Sequence, residues 1–333
     1  LRAPGLRLDA LPAGSLQLEP LREVRIGEGA AAVATTAYRL TGVDLQPEYL
    51  LLDDAQRLFA QFSTRRIVVR AGYEDARETI AALASDLDMQ RAEQLQQRLA
   101  HRHDGPLRIR NVRVFDPDAL RLGPLVSVLV RDGRVAAIEA TDAPAAEGET
   151  AYDGQGGTLS SGLHDMHSHS SLDSGLWYLA AGITSTRDMG NDNAFLLDLT
   201  ARIERGEVAG PRIVRNGFLE GRSPYSARNG FVADSLDQAL DAVRWYHDNG
   251  YWQIKVYNSM NPEWVRPIAA EAHRLGMGVT GHVPAFSSPD RVIADGYDEL
   301  AHINQLMLGW LLEEGEDTRT PLRLTAMQRA ATL

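Results

Sequence analysis

The chain has 333 residues, of which 44% are hydrophobic and 24% charged, and this length suits about two domains with a sizeable core in at least one. Its formal charge of −11 leaves no basic face for nucleic acid or anionic lipid, so we expect a small molecule or a peptide as substrate. The sequence contains no cysteine, which excludes disulfides, thiolate zinc ligands and a cysteine nucleophile.

The first 105 residues form an N-terminal extension in our interpretation. Residues 1–45 show little periodicity, whereas RRIVVRAGY (65–73) predicts a strand and the polar stretch 74–100, with regularly spaced Leu and Ala, predicts a long helix. No apolar run approaches the ~20 residues that cross a bilayer, so no membrane span is expected. Because Leu1 is not an initiator methionine, we also expect sequence upstream of it.

Residues 106–160 have the pattern of a small β domain. LRIRNVRVFD and VSVLVRDGRVAAIEA are short alternating segments, and Asp132 and Gly133 lie between two apolar runs as a hairpin turn requires. We expect this domain to be of the β-sandwich type.

Residues 161–333 alternate between strands and helices. ITSTRD, RIVRNG and WQIKVY are each followed by a helical stretch, which predicts an α/β fold with a parallel sheet covered by helices. Six strand candidates lie near residues 163, 184, 213, 253, 280 and 300, spaced as in a TIM-like (β/α)8 barrel. Two further units are needed and only about thirty residues follow His302, so we expect an incomplete barrel in this chain.

Four of the nine histidines lie in or at the C-terminal end of a predicted parallel strand, where the catalytic groups of barrel enzymes collect: His167, His169, His282 and His302. His167 and His169 are two apart on a strand, so both imidazoles leave the same face toward one ion. His101 and His103 have the same spacing at the end of a predicted helix, where such side chains diverge. There we expect only cationic groups near a helix C-terminus.

The remaining histidines are predicted to lie away from this site. His164 has the opposite strand parity and should face the outer helices, and His247 and His273 lie within predicted helices. A single histidine in an apolar strand is more often a hydrogen-bonded core residue, so His282 and His302 gain weight only together with the first pair.

Lys255 shares one strand face with Gln253 and Tyr257, opposite Ile254 and Val256. An inward ammonium must lose its charge, be paired or be chemically converted. The alternative is a lysine at a strand end paired with a carboxylate.

Five motifs in this order resemble those of the metal-dependent amidohydrolase superfamily: GLHDMHSHS, AAGITSTRDMG, QIKVYNSM, GHVPAF and DELAHINQ. The resemblance covers residues 106–333 and is greatest to binuclear members, in which a lysine of the fourth strand is carboxylated; Lys255 aligns with it. YRLTGVDLQPEYLLLDDAQRLFA also resembles the leading region of long, often exported proteins of this family. It favours an exported or periplasmic location over a cytoplasmic one.

The resemblance implies a set of metal ligands. His167 and His169 would hold one divalent ion, His282 and His302 a second, and carboxylated Lys255 would bridge them. Zinc is the expected metal, with manganese, iron or cobalt as alternatives. The two ions would lower the pKa of a bridging water, giving hydroxide, and one of them would polarise the scissile carbonyl.

The superfamily also has an aspartate after the eighth strand, which ligates the first metal and shuttles the proton. Asp188, Asp295 and Asp298 are in the wrong places to be this residue. An open barrel exposes an apolar seam, so we expect the chain either to aggregate or to bind a C-terminal remainder of the same protein. A homo-oligomer is a separate alternative.

The expected reaction is hydrolysis of an amide or peptide C–N bond in small peptides or N-acyl amino acids. Arg222, Tyr225 and Arg228, in the loop after the third strand, together with Tyr257, are candidates to bind the substrate, although that loop could equally be a solvated connection. Alternatives are a cyclic-amide, lactone or phosphoester hydrolase on the same metal pair, a mononuclear deaminase and, in another class, a non-catalytic truncated scaffold.

Overall fold

The structure, a computed structural model, describes residues 4–29, 32–64 and 66–332 and divides into two compact units, Leu1–Arg98 and Leu99–Leu333. The first unit contains an antiparallel sheet in which each strand pairs with the next along the chain. Its strands are β1 (Arg7–Asp9), β2 (Ser15–Ile26), β3 (Val33–Thr41), β4 (Glu48–Asp53), β5 (Leu58–Phe62) and β6 (Ile67–Val69). Short 3-10 helices span Pro4–Leu6 and Glu74–Ala76, and helix α1 (Arg77–Leu99) follows.

One face of α1 forms the core of this unit together with the sheet. The buried helix residues recur at intervals of three and four, which is the spacing of a single helical face: Ile80, Leu83, Ala84 and Leu87. They pack with Tyr49, Phe59 and Phe62 of the sheet. The Tyr49 hydroxyl donates to Asp88 Oδ1 at 2.8 Å, so the polar end of this buried ring is satisfied.

We predicted one strand in this region, whereas the described residues form six. In β2 the pairing with β3 shifts between Pro20 and Arg22, which is a β-bulge. Residues before and after a bulge lie on opposite faces although their numbers share parity, so Leu18 and Val24 do not face the same side. The bulge therefore interrupts the alternation of inward and outward residues along β2 that would have predicted a strand. Arg65, which opens the predicted strand, lies outside the described residues.

Residues 106–160 form one mixed sheet. Its strands are β7 (Leu107–Asp116), β8 (Arg121–Arg131), β9 (Arg134–Glu139), β10 (Thr150–Asp153) and β11 (Thr158–Leu159). Asp132 and Gly133 join β8 to β9 with φ values of 49° and 69°, which confirms the predicted hairpin turn. The sandwich is not confirmed: β10 and β11 pair in parallel with β7, extending its sheet instead of building a facing one.

The rest of the chain is an α/β half-barrel. Five parallel strands form a curled sheet in the order β12 (Leu163–Ser168), β13 (Ile183–Asp188), β14 (Arg212–Gly221), β16 (Gln253–Val256) and β17 (Gly278–Gly281), and β15 (Phe231–Ala233) pairs with β14. The helices are α2 (Ser174–Ala180), α3 (Asn193–Glu204), α4 (Leu236–Asp248), α5 (Val265–Arg274), α6 (Pro289–Ala294), α7 (Ile303–Leu311) and α8 (Leu322–Ala326). Further 3-10 helices span Pro262–Trp264 and Met327–Thr332. The predicted alternation and α/β class are confirmed.

The predicted strand near residue 300 was wrong. The Asp298 and Glu299 amides both donate to the Val279 carbonyl, at 2.9 and 3.3 Å, instead of alternating along β17. His302 then has φ 70° and precedes α7, so its backbone leaves the extended conformation. The described residues therefore form five strands of a barrel-type sheet, which is open.

Candidate active site

The two faces of the half-barrel sheet differ in chemistry. On the outer face, Ile254 and Val256 pack in an apolar core with α4 and α5. On the inner face of the same strand lie Gln253 and Lys255, and Lys255 is 1% exposed. The pairing of Lys255 with Phe218 of β14 and Thr280 of β17 places these side chains on the same inner face.

The structure brings Lys255 and the four predicted histidines together at the carboxyl end of the sheet. Lys255 Nζ lies 3.3 Å from His167 Nε2. The ring centroid of His167 lies 5.4 Å from that of His169 and 4.4 Å from that of His302, and the His282 and His302 centroids are 4.9 Å apart. His169 and His302 are exposed, His167 is half-buried and His282 is buried, so one side of the cluster is open.

Two of the imidazoles are oriented by hydrogen bonds from Nδ1. His169 Nδ1 donates to the Gly190 carbonyl at 2.6 Å, and His282 Nδ1 donates to Asn258 Oδ1 at 2.7 Å. A proton on Nδ1 leaves the lone pair on Nε2, which is how histidines that ligate metals are held. His282 Nε2 is buried and has no hydrogen-bond partner among the described residues.

Asp188 supports this orientation from the end of β13. Its carboxylate accepts hydrogen bonds from the amides of Ser170 and Gly190 and from the Asn191 side chain, at 2.7, 3.0 and 3.0 Å. These bonds fix the turn whose Gly190 carbonyl holds His169. A side chain at Gly190 would place Cβ 2.5 Å from Phe218 Cδ2, so the close approach requires glycine.

Burial favours the uncharged forms of Lys255 and of three of the four histidines, His167, His282 and His302. Burial and the neighbouring Lys255 lower the pKa of His167 to about 4 and that of His282 to about 2, and they also lower the pKa of His302. Burial likewise lowers the pKa of Lys255 to about 8, with Asp188 opposing and Arg187 adding to the shift. Neutral imidazoles have lone pairs available for a metal, and the lysine has a substantial fraction of free amine near pH 8.

Within the described residues, no group of three or more His, Asp or Glu side chains could hold a metal ion by itself. The predicted arrangement needs only two histidines for each ion, because Lys255 supplies the bridge. The unpartnered His282 Nε2, the lowered pKa values of His167, His282 and His302 and the low pKa of the lysine fit divalent ions bound through nitrogen and carbamate oxygen.

Of the predicted substrate-binding residues, only some lie in the histidine cluster. Tyr257 lies in the cluster, with its ring centroid 4.2 Å from His282 and 4.7 Å from Phe218. Arg222 is exposed and its Nε donates to Asp234 Oδ1 at 2.8 Å, so a surface carboxylate already pairs with it. Tyr225 is 54% exposed, and Arg319 lies over its ring at 5.8 Å. The substrate roles of these residues stay predictions.

Several residues near the site were missed in the sequence. Asn258 follows β16, and only its bond to His282 reveals its role. Arg323 on α8 is half-buried and lowers the pKa of both His282 and His302. Glu220 could have been found, because it continues the inward parity of Phe218 beyond the segment RIVRNG. It is buried, and Oε1 accepts from the amides of Ser259 and Gly221 at 2.7 and 3.0 Å.

The carboxyl group of Glu220 is unusual in two respects. Burial raises its pKa to about 7, although backbone amides of Ser259, Gly221 and Ala227 act in the opposite direction. No hydrogen bond to Oε2 is formed within the described part of the chain.

Three of the five histidines that we assigned no metal role have other partners. His103 lies 3.3 Å from the Tyr152 hydroxyl, His247 lies 2.9 Å from Asp248, and His273 lies 2.9 Å from Asp298. The aspartates dismissed as ligands are also engaged, since Asp295 pairs with Arg266 at 2.9 Å.

Solved structures share this fold. Bottromycin amidohydrolase is similar with a TM-score of 0.55 and 21% identity, over 72% of this chain and 50% of that one. A protein of Bifidobacterium longum assigned as a prolidase has a TM-score of 0.52 and 20% identity, over 66% and 59% of the two chains. An amidohydrolase with 22% identity has a TM-score of 0.49, over 60% and 61%. No family model and no curated protein matches the sequence.

At these identities the likeness shows the fold. The chain folds as the corresponding part of amidohydrolase structures does, which confirms the predicted resemblance at that level. It spans about half to three fifths of the length of these structures. In the described ranges no helix has the length and apolar character needed to cross a membrane.

Proposed function

We propose that this chain belongs to the amidohydrolase superfamily and provides most of the metal site of a hydrolase that cleaves an amide or peptide C–N bond. Small peptides or N-acyl amino acids are the proposed substrates. The observation that supports this most directly is the cluster of Lys255 with four histidines at the carboxyl end of parallel strands, where His282 Nε2 is buried without a partner.

The sequence itself adds a second argument for Lys255. Lys255 is the only lysine among the 333 residues, and the remaining residues counted as Lys or Arg are all arginines. An arginine cannot lose its proton in a protein, whereas a lysine amine can be deprotonated and then react. A single lysine placed in the interior rather than on the surface therefore points to amine chemistry.

In the proposed site His167 and His169 would hold one divalent ion, His282 and His302 would hold the other, and Lys255 in its carboxylated form would contribute oxygen ligands. Zinc is the first candidate for both ions. When bound, such ions supply Lewis acidity toward a carbonyl and lower the pKa of water. Carboxylation joins the free Lys255 amine to the carbon of CO2 and releases one proton, which a pKa near 8 makes accessible at neutral pH.

The protein's own groups orient and enclose this site. Asn258 and the Gly190 carbonyl direct Nε2 of His282 and His169 toward the cluster. The aromatic rings of Tyr257 and Phe218 form a wall beside His282, which limits access of water on that side and leaves the exposed side of His169 and His302 for substrate.

The test combines metal analysis with detection of the carbamate. Plasma mass spectrometry of the purified protein should find about two divalent ions per chain, and 13C-bicarbonate should give a single carbamate resonance. Lys255→Arg removes the only lysine, so it should abolish this resonance and lower the metal content. A well-folded wild-type protein with neither metal nor carbamate would contradict the proposal.

The substrate class is tested separately. Dipeptides and N-acyl amino acids should be hydrolysed faster than cyclic amides, lactones or phosphoesters, with no turnover by Lys255→Arg. Turnover confined to one of the other three classes would retain the metal site and replace the substrate. Metal binding without turnover of any class would support the scaffold alternative.

A further inference from the structure

Arg187 is a buried arginine that the proposed site does not use. It is the penultimate residue of β13 and is 6% exposed. Nε donates to the Met166 carbonyl at 2.9 Å, and Nη1 donates to Gln253 Oε1 at 3.3 Å. Both Nη1 and Nη2 donate to the carboxylate of Glu299, each at 2.6 Å. One guanidinium thus connects three separate segments of the half-barrel.

Each of these segments leads directly into the cluster. Met166 precedes His167 in β12. Gln253 lies two residues before Lys255 on the same face of β16, and it also accepts a hydrogen bond from Asn216 at 3.1 Å. Glu299 lies three residues before His302.

We infer that Arg187 is a positioning residue, which sets His167, Lys255 and His302 at their distances from one another by joining the segments that precede them. The relevance of those distances to metal binding rests on the proposed function.

The requirement for such a residue is greatest at His302. Its φ of 70° is a conformation that L-residues rarely adopt, and the segment before it is not a regular strand. Backbone bonds tie the segment to β17, from Asp298 and Glu299 to the Val279 carbonyl and from Ala301 to the Gly281 carbonyl, and the Glu299 side chain pairs with Arg187. Arg187 also lowers the pKa of Glu299, which keeps this carboxylate ionised.

The planar fork of an arginine is suited to this task. Five N–H donors in fixed directions can serve a carbonyl, an amide oxygen and both oxygens of a carboxylate at once, which the ammonium of a lysine cannot do with the same geometry. A purely structural role would change the stability of the fold and leave the ring positions in the folded protein unaltered.

The primary experiment uses the metal-free full chain with 13C-labelled histidine rings. The wild type should show nuclear Overhauser contacts between the rings of His167 and His302, whose centroids are 4.4 Å apart. We expect Arg187→Gln to weaken or remove these contacts in protein that remains folded by circular dichroism. Unchanged contacts in the folded variant would overturn the inference.

Arg108→Gln is the matched control. Arg108 is also a buried arginine, at 2% exposure, and it donates to Glu149 and Glu139 at 2.8 and 2.6 Å in the sheet of residues 106–160. It should alter stability without altering the histidine contacts. If Arg187→Gln does not fold, Glu299→Gln tests the same inference, because it keeps the contacts to Met166 and Gln253 and should displace only His302.

Cobalt binding separates this inference from the proposed function. Titration with Co2+ should show at least about 10-fold weaker binding by Arg187→Gln than by wild type, as for other groups that orient metal ligands. Wild-type protein that binds no Co2+ would contradict the proposed function, while the ring contacts would still decide the role of Arg187. Wild-type-like Co2+ affinity in Arg187→Gln would contradict the positioning role alone.

Discussion

The N-terminal sheet and the half-barrel sheet use their buried positions differently. In the N-terminal unit the interior between α1 and the sheet is apolar, and the buried Asp53 is paired with Arg57 and Arg70, each at 3.0 Å. In the half-barrel the outer face is equally apolar, but the inner face buries Lys255, Asp188 and other polar side chains.

The two regions also differ in their buried polar atoms that have no hydrogen-bond partner. Among the described residues, all but one of the buried side-chain atoms without a hydrogen-bond partner lie in residues 161–333, and the exception is in Glu48. Each such atom costs about 1–3 kcal/mol when a protein folds. One of these atoms, His282 Nε2, lies in the cluster with Lys255, where its open lone pair fits a ligand.

The largest expected effect comes from removing the buried amine of Lys255. Lys255→Met replaces the buried amine with an apolar chain of similar length, so metal binding and hydrolysis should fall by more than about 100-fold. Stability of the metal-free protein should stay unchanged or rise, because a buried ionisable group is replaced by a well-packed one. Paired measurements of Co2+ affinity and urea unfolding check both parts. A variant that lost stability and kept its affinity would reverse our interpretation of this residue.

The counterpart in the N-terminal sheet is Leu51→Ala. Leu51 is fully buried against α1, and removing its side chain should cost about 2–5 kcal/mol of unfolding free energy. Metal affinity of the folded protein should not change. Leu58→Ala on the neighbouring strand is the control, because Leu58 is 53% exposed and its loss should cost less than about 0.5 kcal/mol. Equal losses for the two variants would show that the core assigned here is not the stabilising one.

The same contrast explains which parts of the fold the sequence predicts. In the half-barrel, strand and helix periods alternate from β12 to β17, and the parity of Lys255 against Ile254 and Val256 predicts its inward direction. In β2 the bulge at Pro20–Arg22 reverses the faces within one strand, so no continuous pattern exists to be recognised.

The site was predictable where it lies on regular strands and not where it depends on loops. Lys255 lies on the regularly paired β16, and His282 immediately follows β17, whereas His167 was predicted from strand parity although β12 pairs irregularly with β13 between Asp165 and Ser168. His302 was identified as a site residue with the wrong local structure, because its positive φ has no sequence signature outside glycine and asparagine. Asn258 and Arg323 act from irregular or short segments, where neither a period of 2 nor one of 3.6 predicts direction.

Asn258→Ala tests one of these loop contributions. Without the acceptor for Nδ1, the His282 ring can rotate or change tautomer, so Co2+ affinity should fall about 10–100-fold. Asn249→Ala is a matched control, because that amide only donates to the Trp245 carbonyl at the end of α4, at 2.8 Å. Full Co2+ affinity in Asn258→Ala would show that packing with Tyr257 is enough to hold the ring.

The smallest predicted effect is a dependence of stability on acid. His282 is 5% exposed, and its pKa is lowered from 6.5 to about 2 in the folded protein, so the unfolded chain binds its proton first as the pH falls. The contribution of His282 to the free energy of unfolding is fully present above pH 6.5. Below that pH it declines by about 1.4 kcal/mol per pH unit. Between pH 7 and pH 5 the metal-free protein should lose about 2 kcal/mol from His282 alone.

Urea unfolding of the metal-free protein at several pH values measures this loss, and His282→Gln isolates its source. Glutamine does not titrate, so the variant should lose less stability on acidification than wild type, with the difference confined to the range below pH 6.5. His247→Gln is the control, because His247 is exposed on α4. Parallel pH curves for wild type and His282→Gln would mean that the inner face accepts a charged imidazole, and the contrast between the two sheets would then lose its electrostatic basis.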